Sequence, residues 1–135
     1  MHPTALQNAE RFFQAYATGR TGLAIAEIGS LDVNGSLRDS SPLGARYVGL
    51  DFTPGKGVDV VLNDPYALPL PDASQDIVVS SSCFEHSQMF WLVFLEILRI
   101  LKSDGVFYMN APSNGPFHRY PVDCWRFYPD AAEAL

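Results

Sequence analysis

Residues 26–36 read AEIGSLDVNGS, a glutamate, a glycine turn and a second glycine set directly after the apolar stretch Leu23–Ile28. Asp51 ends another apolar stretch about 20 residues later, the spacing at which an open α/β sheet grips the ribose of a nucleoside-bearing cofactor. Gly29 lets the chain turn sharply past the carboxyl end of the first strand, because a residue without Cβ tolerates positive φ and the close approach of a ligand. Glu27 and Asp51 can only accept hydrogen bonds, so they suit hydroxyls and cationic amino or sulfonium groups and not a phosphate.

That preference separates the obvious cofactors. A dinucleotide fingerprint wants glycine at three slots, G-x-G-x-x-G, whereas the slots counted from Gly29 hold Gly29, Leu31 and Asn34. The glycine-lysine pair Gly55-Lys56 is followed by Gly57 and lacks the Ser or Thr of a phosphate loop. S-adenosylmethionine, with an adenosine, a positive methionine tail and no phosphate, is the better match. Ser80, Ser81 and Ser82 lie close to His86, but residues 80–84 read SSSCF and not the G-x-S-x-G elbow of a hydrolase. Glu85, His86 and His118 have no recognised metal-ligand spacing, so no metal is assigned.

A chain of 135 residues, 47% apolar and 18% charged, has the composition of one globular domain spanning 1–135. A net charge of −6 with no clustering of the nine Lys and Arg argues against nucleic acid as a partner. Cys83 and Cys124 are too few for a disulfide framework or a four-cysteine zinc site and are expected to be inert thiols. The start has no basic segment followed by an apolar run, and the longest apolar run, within 89–101, is broken by Glu96 and Arg99. The expectation is a soluble cytoplasmic protein without membrane contact.

The elements that must carry these residues follow from periodicity. Thr4 and Gln7 suggest a capping box that opens a helix with Leu6, Ala9, Phe12, Phe13 and Tyr16 on one stripe and Gly19 as its stop. Buried strands are predicted at 23–28, 46–52, 58–62, 76–82 and 105–111, with a helix over 87–102 ending at Ser103-Asp104-Gly105. Strands separated by a long helix imply a Rossmann-like, mostly parallel open sheet with helices on both faces. Only residues 53–57 join the second and third strands, too few for a crossover helix, so either these strands pair differently or the third is a stub.

The succession AEIGSLDVNGS, RYVGLDFTPGKGVDVVLNDPYALPLPDASQDIVVSSSCFEH and WLVFLEILRILKSDGVFYMNAPSNG resembles the class I S-adenosylmethionine-dependent methyltransferases, in particular the bacterial small-molecule group, over about residues 20–115. The resemblance implies that Glu27, Gly29 and Ser30 line the methionine side of the cofactor, that Asp51 takes the ribose hydroxyls and that Phe52 lies against adenine. It further implies that Asp64 accepts from the adenine amino group and that Ser81 and Ser82 sit near the sulfonium. Where the family has a second glycine this chain has Leu31, and the residue after Asp64 is Pro65, whose missing N–H leaves Tyr66 or a water to meet the ring. His86 and His118 are the two candidates for a general base toward a small-molecule acceptor.

The segment 117–129, FHRYPVDCWRFYP, is read either as a binding loop or as an aromatic mini-core, with Arg119 and Arg126 holding an acidic group or solvated. The family's C-terminal antiparallel strand pair is not seen before Leu135, so the sheet edge is expected to be covered by a homodimer or larger oligomer. The second reading of the whole is a cofactor-binding remnant that serves as an assembly or regulatory module.

Overall fold

The computed structural model describes residues 3–135. Five strands form one sheet: β1 (Ala24–Ile28), β2 (Arg46–Asp51), β3 (Val60–Val61), β4 (Gln75–Ser81) and β5 (Leu101–Asn110). Their order is β3-β2-β1-β4-β5, and every neighbouring pair is parallel. Three helices accompany them, α1 (Pro3–Ala17), α2 (Phe90–Ile100) and the short α3 (Pro129–Ala134). Single 3-10 turns at Leu37–Ser40 and Phe84–His86 complete the elements.

Every residue of β1 is buried, as a central strand of a parallel sheet with both faces covered must be. Alternation along the strands sends Ile25, Ile77 and Val79 to one face, where Ala9, Phe13 and Ala17 of α1 pack. Ala26, Ile28, Leu50 and Val78 go to the other face and meet Val93, Ile97 and Ile100 of α2. The two helices therefore lie on opposite faces, as the sequence implies. β2 and β4 leave β1 in opposite directions, which opens a crevice beyond the carboxyl ends of these strands.

Several boundaries differ from expectation. The third strand is a two-residue stub that pairs parallel with β2, Leu50 opposite Val60 and Asp51 opposite Val61, so residues 52–59 make the crossover without a helix. α2 begins at Phe90, after the 3-10 turn, and β5 begins at Leu101. Ser103-Asp104-Gly105, predicted as a helix stop, lies inside that strand beside an irregularity opposite Gln75–Ile77. Thr4 lies inside α1 and not at its cap, and Tyr16 is 52% exposed, because the buried stripe runs Ala5, Ala9, Phe13, Ala17. β5 is an edge with no partner strand on its outer side among the described residues.

The turn after β1 depends on Gly29. Its φ is +80°, and a Cβ there would lie 2.6 Å from both Cβ and Sγ of Cys83, in the loop after β4. Gly29→Ala is expected to lose about 1–2 kcal/mol for the left-handed backbone plus about 1–3 kcal/mol for overpacking. Gly19→Ala, at a φ of +78° with nothing within 4 Å, carries only the first term. Urea denaturation of the two variants measures the difference; equal losses would show that Cys83 does not confine the turn.

Candidate functional site

At the carboxyl ends of β1, β2 and β4 the backbone is held by its own amides. The N–H groups of Gly29 and Ser30 both donate to the Leu50 carbonyl, at 2.9 and 3.1 Å. The Asp51 carboxylate accepts from Leu31 N–H at 3.1 Å through Oδ2 and from Thr53 N–H at 2.9 Å through Oδ1. One side chain thus fixes the loop after β1 and the loop after β2 together. Gly49 makes room for this, since a Cβ there would lie 2.2 Å from the Gly57 carbonyl and 2.7 Å from Ser30 Oγ. Asp32 ties the same loops from outside, accepting from Gly35 N–H at 2.7 Å and pairing with Lys56 at 2.6 Å.

These loops border a cavity of about 660 Å³, within the range of small-molecule sites. The lining includes Glu27, Gly29, Ser30 and Asp51 from the ends of β1 and β2, then Phe52, Pro65 and Tyr66, then Ser81, Ser82 and His86 after β4, and residues 119–122, which pack beside His86. Phe52 is 47% exposed, an aromatic face free to meet a planar ring. Ser82 holds a left-handed φ of +53° while its N–H donates to the Asn110 carbonyl at 2.9 Å, and Asn110 Nδ2 donates to Ser81 Oγ at 3.0 Å. A non-glycine residue held in that conformation by neighbouring strands marks a position where local strain is tolerated by the site.

Glu27 is buried, and burial pushes its carboxyl up to about 7 although Tyr47 Oη donates to Oε2 at 2.9 Å. The same burial raises the Tyr47 hydroxyl, so it stays a donor. Ser30 Oγ is buried without a partner among the described residues. Burial pushes the Cys83 thiol up to about 12, which makes it an inert packing group against Gly29; the exposed Cys124 is also a free thiol. A raised acid, an engaged carboxylate and an unpaired hydroxyl on one wall favour a ligand with a cationic group and hydroxyl donors. Among the described residues the lining holds no run of lysine or arginine, and its basic side chains are His86 and Arg119.

The structure gathers most of the residues singled out from the sequence. Glu27, Gly29, Ser30, Asp51, Phe52, Tyr66, Ser81, Ser82 and His86 border the cavity. Asp64 does not: it is exposed and its Oδ1 accepts from Tyr66 N–H at 2.8 Å, a local turn. His118 stands outside the lining as well, its ring centroid 4.9 Å from that of His86. In the loop 117–129, Trp125 and Phe127 pack on Phe90 while Phe117 and Tyr120 are exposed, so both readings of that segment hold in part. Arg126 is bound to Asp123, whereas Arg119 borders the cavity. Sequence reasoning missed Tyr47, whose alternation with Gly49 and Asp51 puts it on the face of Glu27 once the register Glu27 opposite Gly49 is known.

No helix among the described residues is long and apolar enough to cross a membrane. A family model described as a methyltransferase domain matches residues 18–109, more than half of the chain. Curated proteins give no match. Among solved structures, a protein of Methanococcus maripaludis shares 24% identity with a TM-score of 0.61, covering 79% of this chain and 55% of its own. YcgJ of Bacillus subtilis shares 20% at 0.65, covering 79% and 52%. The 1,6-didemethyltoxoflavin-N1-methyltransferase of Burkholderia thailandensis, solved with 1,6-didemethyltoxoflavin and S-adenosylhomocysteine, shares 17% at 0.63, covering 83% and 54%. At these identities the likeness is one of fold, and the chain spans about half the length of the three proteins. The match to the family model over this parallel sheet and its strand-end crevice shows that the chain belongs to the class I S-adenosylmethionine-dependent methyltransferases.

Proposed function

We propose that this domain transfers a methyl group from S-adenosylmethionine to a small-molecule acceptor. The observation that carries the reading is the pair of carboxylates, Glu27 and Asp51, set on neighbouring strands and opening into one cavity without a phosphate cradle. The cofactor supplies an electrophilic methyl on a positively charged sulfur. In this reading Asp51 accepts from the ribose hydroxyls, Glu27 and Ser30 meet the methionine end, and Phe52 with Tyr66 bounds the adenine in place of Asp64. Ser81 and Ser82 flank the reacting end.

In-line displacement requires no nucleophilic side chain, so the work left to the chain is alignment and exclusion of water. Among the described residues His86 is the one histidine that borders the cavity, and it serves as the proton acceptor where the acceptor must lose a proton. Arg119 and Tyr120 border the cavity beside it, the Tyr120 ring 6.3 Å from that of His86, and suit an acceptor with acidic or aromatic character. Pairing of copies along the β5 edge belongs to the same proposal, since an uncovered strand invites a partner.

Calorimetric titration tests the cofactor assignment. S-adenosylhomocysteine is expected to bind saturably and NAD not at all, and Asp51→Ala is expected to weaken the former by about 1–3 kcal/mol, through ligand donors left unpaired. An unchanged dissociation constant in a folded Asp51→Ala protein would remove the assigned pocket. Methylation of a supplied acceptor then separates an enzyme from a binding module.

Glu27 gives a second, ligand-free expectation. Its folded value near 7 lies above the ordinary carboxylate value of 4.5, so its favourable contribution is complete below about pH 4.5 and is lost as pH rises through 7. Glu27→Gln, which keeps an acceptor for Tyr47, should therefore gain stability relative to the parent between pH 5 and pH 8, by roughly 2–3 kcal/mol. Chemical denaturation of both proteins at the two pH values reads this difference; a pH-independent difference would mean that Glu27 titrates as an ordinary surface acid.

A further inference from the structure

We propose that Glu85, His86 and His118 form a binding site for a divalent transition-metal ion of the zinc type in the wall of the cavity. One ligand atom from each of the three lies within 4.8 Å of the others. His86 Nε2 is 3.8 Å from Glu85 Oε1, close to the roughly 3.4 Å that separates neighbouring ligands around a tetrahedral ion with bonds near 2.0–2.1 Å. His118 is held beside them, its ring centroid 4.9 Å from that of His86 and its N–H donating to Asp123 Oδ2 at 2.7 Å.

Glu85 is 2% exposed, and its Oε2 is buried without a hydrogen-bond donor among the described residues. A carboxylate removed from water in this way requires a proton or a cation nearby. The histidines are placed to share the cation. Nδ1 of His86 lies 2.5 Å from the Val122 carbonyl, and Nδ1 of His118 lies 3.1 Å from the Pro116 carbonyl. A carbonyl at Nδ1 takes the ring proton, fixes the tautomer and leaves the Nε2 lone pair outward, the arrangement in which protein imidazoles hold metals. With that tautomer, His86 Nε2 and Glu85 Oε1 meet at 3.8 Å as two acceptors, a pairing that a shared cation satisfies.

The backbone fixes this meeting of distant residues. The Glu85 carbonyl accepts from Cys124 N–H at 2.7 Å and from Trp125 N–H at 3.2 Å, while Trp125 Nε1 donates to the Ser87 carbonyl at 2.8 Å. The segment with His118 is thereby strapped onto the 3-10 turn that holds Glu85 and His86. Arg126, the nearby cation, is neutralised by Asp123 through Nη1 at 2.6 Å and Nη2 at 2.8 Å. The missing sequence spacing is thus supplied by the fold.

Three protein ligands leave a coordination position open, as in catalytic and not in structural zinc sites. His86 borders the cavity, so the open position is available to an oxygen or nitrogen donor held there. Binding of the ion does not depend on the methyl-transfer reading, but its use does. In that use His86 is a ligand and no longer the proton acceptor, and an acceptor hydroxyl bound to the ion ionises near neutral pH, its proton leaving to solvent.

Titration of the metal-free protein with Co2+, followed by visible d–d absorption, tests the site without cofactor or acceptor. The expected result is a saturable tetrahedral or five-coordinate band from one ion, displaced by Zn2+. His118→Ala, at an exposed position, should weaken Co2+ binding about tenfold or more, and Glu85→Gln should weaken it further. S-adenosylhomocysteine titrated into the same His118→Ala protein should bind as in the parent, so that loss of the metal and loss of the cofactor are separate results. Absence of the band, an undiminished affinity in His118→Ala, or a band that vanishes in Cys124→Ser would each overturn the proposal; the first would mean that Glu85 and His86 share a proton only.

Discussion

The crevice exists because the carboxylate of Asp51 is engaged on both sides at once. Its two oxygens accept amides from Leu31 and Thr53, one in each of the loops that leave β1 and β2. Parallel strands give no hairpin to hold adjacent loop starts together, so the ends of β1 and β2 are joined only by such cross-loop bonds and by Gly29 and Ser30 donating to Leu50. The bonds are short-range and partly buried, where an unpaired partner is costly. Two glycines keep them reachable: Gly49, which leaves space for Ser30 and Gly57, and Gly29, which turns toward Cys83. In the proposed reading the carboxylate that ties the two loops together is also the one that meets the ligand, so the site is shaped by the fold's own bonds.

Glu27 plays the complementary part. It sits one strand away, buried in the sheet, and is held near 7 by the loss of water around it with Tyr47 as its one side-chain donor. In the proposed reading a carboxyl poised near neutral changes charge at little cost when a cation arrives, whereas Asp51, which accepts one amide on each oxygen, has lone pairs left for neutral hydroxyls. Two acids of the same chemistry are given different roles by their surroundings alone.

How much of this the sequence disclosed depends on how local the cause is. β1 was legible because AIAEI, buried along its whole length, can only be a covered strand, and the acid-glycine turn follows it at once. β3 was legible in part: the sequence implies a strand at 58–62 with a stub as one of two alternatives, but which two residues pair is set only by the register with β2. Ser103-Asp104-Gly105 carries the local chemistry of a helix stop, yet it extends β5, where Gly105 fits against the Asp76 and Lys102 carbonyls that a side chain would meet at 3.2 and 3.0 Å. Tyr47 on Glu27 required the strand register, and the meeting of Glu85 with His118 required the strap of 124–125 onto 85. Motifs confined to one strand end were readable, while contacts assembled between elements were not.

The same strap divides the cavity. The wall formed by strand ends rests on sheet hydrogen bonds, whereas residues 119–122 rest on a segment anchored by the Glu85 carbonyl, by Phe127 N–H on the Pro112 carbonyl at 2.9 Å and by Trp125 and Phe127 against Phe90. Those anchors leave Arg119 and Tyr120 exposed and free of the core. Substitutions there change the chemistry presented to a ligand without touching the bonds that hold Glu27 and Asp51, so in the proposed reaction acceptor choice and cofactor grip can vary independently. A scaffold that separates the two in this way suits loop residues to selectivity and strand ends to the shared step.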